Sequence, residues 1–278
     1  DISGDDPAIV KKFEGLAKEF EVYVLARGRG FGVEKFGSHF YLFPRFFGKL
    51  NVFLWMIWAF FVGLWLVRSK KIDVIITQAP VFDGPIGVLV AKLSGRKLIA
   101  ELHGDFINST FYYFKVPFEK TVRAMLGALG RFSLGNADAV RGISTYTHSM
   151  LDRFASGKPR YDFPTFTDID IFYEGVANEV QWKKQIVYVG WLYYLKGVHL
   201  LIDAFIEIKK KHPEFELIIV GNGPYEDTLR KKAGGHDGIT FAGKQPLTKV
   251  RDIVREASVL VLPSYSEGLG RVLIEAQH

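Results

Sequence analysis

Short, nearly unbroken apolar runs recur along this chain and leave few folds open to it. They are "EVYVLA" (21–26), "IDVIIT" (72–77), "KLIAELH" (97–103), "ADAVRGIS" (137–144), "QIVYVG" (185–190), "FELIIVG" (215–221), "GITFAG" (238–243) and "ASVLVLPS" (257–264). Runs of this length that are rich in Val, Ile and Leu, without strict alternation, are the pattern of strands covered on both faces. Helical patterns fall between them; Ile9, Phe13, Leu16, Ala17 and Phe20, with Pro7 in the first turn, predict an amphipathic helix over 7–20. Strand and helix in alternation give parallel βαβ units, so the fold class is α/β.

With 278 residues, 48% of them hydrophobic, the chain can fill two ordinary cores. The alternation breaks once, over 160–182 ("RYDFPTFTDIDIFYEGVANEVQW"), which has no clear period. The expected division is therefore residues 1–165, a linker at 166–182, and residues 183–278, with a ligand cleft between two parallel sheets at the carboxyl ends of their strands. The chain opens without Met or a first strand and stops within a helical pattern, so it reads as incomplete at both ends, with the C-terminal domain truncated. It has no cysteine, which excludes disulfides, thiolate metal sites and a cysteine nucleophile and fits a cytoplasmic setting. A net charge of +6 suits a phosphorylated ligand or an anionic surface, while the lack of like-charge runs argues against nucleic acid.

Three strands of the second half end in small, flexible loops on one sheet edge: at Gly190 before "WLYYLKG", at Gly221 before "NGP", and at Pro263-Ser264 before "YSEGLGRVLIEA". Helix N-termini there offer unpaired N–H groups and partial positive charge to a diphosphate, and Lys196, bracketed by Gly190 and Gly197, adds a full charge. Glu267 and Glu275 would repel phosphate and so suit hydroxyl groups. Ser264 and Glu267 have capping-box spacing, but a helix starting there would place Gly268 and Gly270 in its first turns, at about 1 kcal/mol each, so a start near Gly270 is expected. Were the residues between the glutamates helical, the two would lie at most about 12 Å apart along the axis. A hexose near Glu267 and a ribose near Glu275, joined by a diphosphate, describe a nucleotide sugar.

From "IVYVGWLYYLKGVHLLIDAF" through "ELIIVGNGPYEDTL" and "GITFAG" to "VLVLPSYSEGLGRVLIEA" the chain resembles family 4 glycosyltransferases, retaining enzymes of GT-B fold with two Rossmann-like domains facing a cleft. The first half resembles them more loosely, at "ELHGDF" and "ADAVRGISTYTHSML". The resemblance implies an acceptor-side N-terminal domain and a C-terminal nucleotide-sugar domain. It implies that Glu267 holds the donor sugar, that Glu275 holds the ribose, that the N–H groups of Gly268, Leu269 and Gly270 face the phosphates, and that Lys196 pairs with the diphosphate after Gly190. The loop at Lys244 and Gln245 would face the base. Where the family usually has arginine after the glycine, this chain has Trp191, so either Lys196 carries more of the charge or Arg271 or Lys244 helps. A lone histidine after a strand is more often structural. The family's histidine-glycine pair near the donor sugar nevertheless favours a site role for His103.

Two other motifs carry less. "TDID" places Asp168 and Asp170 in a metal-binding pattern but away from a strand end, so no metal site is expected and no cofactor is required. "GNGPYE" has Glu226 where a dinucleotide fingerprint needs its third glycine.

Residues 52–67, "VFLWMIWAFFVGLWLV", carry no charge and are flanked by Arg45, Lys49, Arg68, Lys70 and Lys71; aromatics continue upstream, so 36–67 is a candidate membrane-associating segment. The run is short for a span, which needs about 20 residues, and βαβ units adjoin it on both sides. An interfacial helix with Trp55 and Trp58 inserted competes with a buried helix of the first domain; peripheral attachment at the inner face is the expectation. The expected activity is retaining transfer of a hexose from a nucleoside-diphosphate sugar to a glycan, lipid-linked or membrane-borne acceptor. A nucleotide-sugar epimerase of the same fold and a non-catalytic binding module are the alternatives.

Overall fold

The computed structural model describes residues 7–28, 30–45, 50–113, 116–163, 165–173 and 182–277. In chain order the first half runs α1 (Pro7–Leu16), β1 (Tyr23–Gly28), β2 (Gly32–Phe36), β3 (Ser38–Pro44), α2 (Asn51–Ser69), β4 (Val74–Thr77), α3 (Gly84–Ser94), β5 (Lys97–Leu102), α4 (Asn108–Tyr113), α5 (Glu119–Gly135), β6 (Ala139–Gly142), α6 (Thr145–Phe154) and β7 (Arg160–Asp162). The remainder runs α7 (Asp170–Tyr173), β8 (Lys183–Val189), α8 (Val198–Lys211), β9 (Glu216–Val220), α9 (Glu226–Ala233), β10 (Ile239–Gly243), α10 (Leu247–Glu256), β11 (Ala257–Leu260) and α11 (Arg271–Glu275). Backbone contacts divide the chain into two compact units, Asp1–Phe106 with Phe118–Phe166, and Ile107–Pro117 with Thr167–His278.

The first unit holds two sheets, one ordered β1-β3-β2 and one, all parallel, ordered β4-β5-β6-β7. The small sheet corrects one sequence expectation. Residues 38–44, assigned to the membrane-associating segment, form a central strand paired parallel to β1 and antiparallel to β2, with Phe40, Leu42 and Phe43 buried. Gly37, at φ +66°, makes the turn back from β2. The aromatic content of this stretch is core: Phe40 stacks on Phe36 at 4.0 Å and meets Phe13 of α1 edge-on at 4.8 Å. Helix α2 does form, and Ala59 and Val67 pack with Ile86 and Val90 of α3. Its other face is open.

The second unit is built on a parallel sheet ordered β10-β9-β8-β11. On one face Tyr188, Leu217 and Ile219 pack with Val198, Ile202 and Phe205 of α8 and Leu229 of α9. On the other, Val187 and Val220 pack with Val250 and Val254 of α10. Coverage of both faces explains why these strands are apolar without alternation. The stretch 160–182, which has no clear period in sequence, is partly ordered, and the expected linker at 166–182 contains a short helix. Residues 160–162 are strand β7 and 170–173 are helix α7, whose Phe172 is buried and whose carbonyl accepts from Arg255; residues 164 and 174–181 lie outside the described residues. The segment Ile107–Pro117, assigned from sequence to the first domain, groups with the second unit, where Tyr112 stacks on Tyr265 at 5.5 Å.

Candidate functional site

The loops that follow the parallel strands of the second unit are hydrogen-bonded to one another. Gly190 donates to the Val220 carbonyl, Leu192 to that of Asn222 and Tyr225 to that of Leu192, each at 3.0 Å; Gly221 donates to Gly243 at 2.8 Å, and Tyr265 to Leu195 at 2.9 Å. Two glycines make this convergence possible. A Cβ on Gly197, at φ +66°, would lie 2.1 Å from the Pro263 carbonyl oxygen, and one on Gly221, at φ +131°, would lie 1.9 Å from that of Gly190. A side chain at either position would push two loops apart.

Gly197 caps α8, the 14-residue helix whose first N–H groups and positive dipole end lie beside Lys196. Lys196 does not stand free: its Nζ donates to Glu267 Oε1 at 2.5 Å, and Ser264 Oγ donates to the same oxygen at 2.8 Å. Both side chains of the ion pair are partly buried, at 20% and 27% exposure, so each charge depends on the other for compensation. Ser264 and Glu267 therefore do bond, but not as a helix cap: α11 starts at Arg271 with Gly270 as its N-cap. Gly268 and Leu269 lie in the loop, and the axial estimate for one continuous helix from Glu267 to Glu275 does not apply. Among the described residues the N–H groups of Gly268, Leu269 and Gly270 make no backbone hydrogen bond, which leaves them available to a ligand.

Glu275 ends α11, and burial pushes its carboxyl above the ordinary value, with the Arg271 charge opposing. Arg271 and Lys244 are exposed, and the Gln245 side-chain amide donates to the Ala242 carbonyl. Trp191 is exposed, and its carbonyl accepts from Tyr188 Oη at 3.0 Å. Beside Lys196 lies a ring cluster that the sequence reading missed. Tyr194 stacks on His199 at 4.8 Å and on Tyr265 at 5.6 Å, and Tyr265 Oη lies 3.1 Å from His199 Nε2. Burial, then the Lys232 charge, lowers the His199 pKa. The signal available was aromatic repetition in "LYYLKGVH" and "PSY".

In the first unit His103 follows β5, and its Nε2 lies 2.8 Å from Glu101 Oε2. The other carboxylate oxygen accepts from Arg141 on β6 at 2.6 Å, and Glu101 and Arg141 face each other in register. Both are buried; burial alone would raise the Glu101 carboxyl, but the bonds from His103 and Arg141 and the guanidinium charge take it below the ordinary value. This pair too was missed, although opposite charges inside two apolar runs, "LIAEL" and "DAVRG", were its signal. Asp168 Oδ1 accepts from the Asp170 N–H at 3.4 Å at the start of α7, and Glu226 pairs with Arg230 in the first turn of α9. Both placements give these acids ordinary roles at helix starts.

The loops at the carboxyl edge of this parallel sheet thus bring Lys196 and Glu267 together beside the N-terminus of α8, a setting suited to an anionic ligand. Residues 13–160, more than half of the chain, match the family described as Glycosyltransferase Family 4, and residues 173–278 match Glycosyl transferases group 1. The chain belongs to Glycosyltransferase Family 4. It is 26% identical over 298 aligned positions to an uncharacterized glycosyltransferase of Methanocaldococcus jannaschii, covering 93% of this chain and 70% of that one. It is 25% identical to a GDP-mannose-dependent alpha-(1-6)-phosphatidylinositol monomannoside mannosyltransferase of Mycolicibacterium smegmatis, covering 69% of this chain and 52% of that one, so it spans about half the length of this relative. In structure it is similar to sucrose-phosphate synthase from Thermosynechococcus elongatus, with a TM-score of 0.74 at 19% identity over 96% of this chain and 72% of that one; the fold is GT-B.

The raised carboxyl of Glu275 has a consequence for stability. A folded pKa above the unfolded value favours folding fully below the unfolded pKa, and that contribution is lost as pH rises through the folded value. Glu275→Gln, which mimics the neutral form, should match the wild-type melting temperature at pH 4 and exceed it at pH 7.5, as read by calorimetry.

Proposed function

We propose that this chain is the core of a retaining glycosyltransferase that moves a hexose from a nucleoside-diphosphate sugar to an acceptor. The observation that carries this reading is the Lys196–Glu267 pair at the start of α8, where a cation for diphosphate and a carboxylate for sugar hydroxyls stand side by side. On donor binding the phosphate oxygens would take over Lys196, and Glu267 would turn to the sugar. The N–H groups of Gly268, Leu269 and Gly270 would share the phosphate charge, Glu275 would accept from the ribose, and Lys244, Gln245 and Arg271 would line the remainder of the donor site. Lysine and backbone N–H groups can stabilise a leaving diphosphate without a metal, and His103 is assigned to the donor-sugar side of the reaction.

We further propose that the acceptor lies at a membrane surface and that the protein is cytoplasmic and peripheral at the inner face. Among the described residues α2 is the one helix long and apolar enough to cross a membrane by length and composition, and only 17% of its apolar window is buried. One stripe of it is open, with Phe53, Ile57, Phe61 and Trp65 at successive turns each more than half exposed. Trp55 and Trp58, the residues expected to insert, instead face the protein: Trp55 lies under the Arg27 guanidinium and Trp58 against Phe43. A helix packed on one side and apolar on the other suits the interface rather than a span. Arg45, Arg68, Lys70 and Lys71 supply basic flanks, and Lys49 lies outside the described residues. The lipid-linked acceptor named for the mycobacterial relative supports the same assignment.

Glu267→Gln should lower turnover by about 100-fold or more without weakening nucleoside diphosphate binding, since the carboxylate that competes for Lys196 is gone. Glu275→Ala should mainly weaken nucleotide binding, by about 10- to 100-fold, as expected for a lost charge-assisted hydrogen bond. Calorimetric titration and a transfer assay separate the two, and exchanged effects would reverse the assignment. Phe53→Ser with Phe61→Ser should reduce binding to anionic vesicles while changing stability by no more than about 0.5 kcal/mol per site. Loss of folding in that variant would make the stripe part of a core.

A further inference from the structure

The buried ion pair of the first unit has no part in the mechanism above, and it touches the one histidine assigned to the site. Glu101 and Arg141 occupy paired positions on β5 and β6, and each is 7% exposed. Arg141 is fixed from three directions. Nη1 donates to Glu101 Oε1, Nε and Nη2 donate to the Phe163 carbonyl at 3.2 and 3.1 Å, and the guanidinium lies 3.8 Å from the Phe163 ring centre. Glu101 Oε1 is thereby committed, and Oε2 is left toward His103 Nε2 at 2.8 Å. A carboxylate only accepts hydrogen bonds, and here it is held ionised, so Nε2 must carry the proton.

We propose that Glu101, clamped by Arg141, is a positioning residue that fixes His103 in the Nε2–H tautomer and presents Nδ1 as the lone-pair nitrogen toward a substrate hydroxyl. A free imidazole divides between two tautomers and several ring orientations. A carboxylate that cannot rotate selects one of each, as outer-shell carboxylates do for working histidines. The loop after β5 bears this histidine two residues beyond the glutamate, so any movement of Glu101 is passed directly to the ring. The proposal rests on the reading of His103 as a residue of the glycosyl-transfer site.

The test is the Glu101→Gln variant. Arg141 has only donors and will hold the amide oxygen, which turns the NH2 toward His103 and demands an acceptor at Nε2. The ring should therefore switch to Nδ1–H. Long-range 1H–15N spectra of the histidine rings at pH 8.5, with His103→Gln used for assignment, should show Nε2–H in the wild type and Nδ1–H in the variant. Turnover with a panel of uridine and guanosine diphosphate sugars should fall by about 10- to 1000-fold, and Glu101→Gln should cost little more once His103 is Gln, the non-additivity of coupled residues. A wild-type spectrum showing Nδ1–H overturns the proposal even if the variant does not fold. So does an unchanged tautomer in the variant, or equal losses from Glu101→Gln with and without His103, since those mark a purely structural pair. A tautomer switch in a protein that transfers no sugar supports the positioning of His103 and contradicts the glycosyl-transfer reading instead.

Discussion

The ion pair between Lys196 and Glu267 ties together two loops 71 residues apart in sequence, and the organisation of the candidate site depends on it. In a partly buried setting each charge offsets the desolvation of the other, so each holds the other in place until a ligand supplies a substitute. A diphosphate can replace the carboxylate at Lys196, and a sugar hydroxyl can replace the ammonium at Glu267. A ligand that offers both groups at neighbouring positions exchanges one satisfied arrangement for another, whereas a bare phosphate leaves Glu267 uncompensated. On the proposed function the pair would favour the intact sugar nucleotide over its fragments.

That selectivity requires the loops to touch, and the contact is made by backbone. The Tyr265 N–H reaches the Leu195 carbonyl, and Gly197 brings the start of α8 against Pro263 where no side chain fits. The aromatic stack of Tyr112, Tyr194, His199 and Tyr265 closes the same region from the side, drawing α4 into the second unit. The first unit solves a different problem with the same economy. Helix α2 spends one face on α3 and leaves the other apolar, while Glu101 and Arg141 satisfy each other between two strands that otherwise exclude charge.

What could be read from sequence follows from which interactions are local. The strands of the second unit were legible because burial on both faces leaves an unbroken apolar record, and the late start of α11 followed from the cost of Gly268 and Gly270 inside a helix. The strand at 38–44 was not, because Phe40, Tyr41, Leu42 and Phe43 read equally as core or as interface until β1 and β2 flank them. The tryptophans of α2 misled for a related reason: a helix with apolar residues all round does not declare which face is covered, and Trp55 and Trp58 are settled by Arg27 and Phe43 from elements far along the chain. Of the candidate site, Lys196, Glu267 and Glu275 are the residues that type and spacing single out. That Lys196 and Glu267 bond each other, and that Glu101 faces Arg141 40 residues away, are facts of register and loop approach.

The most direct test of the central claim is hydrogen exchange across the chain, measured with and without saturating uridine or guanosine diphosphate, whichever binds. Ligand that bonds free backbone N–H groups slows their exchange where it sits. Exchange should slow at residues 197–199 and 268–270, with α2 unaffected. Bound nucleotide that leaves these segments unprotected, or protects only the first unit, would contradict the account.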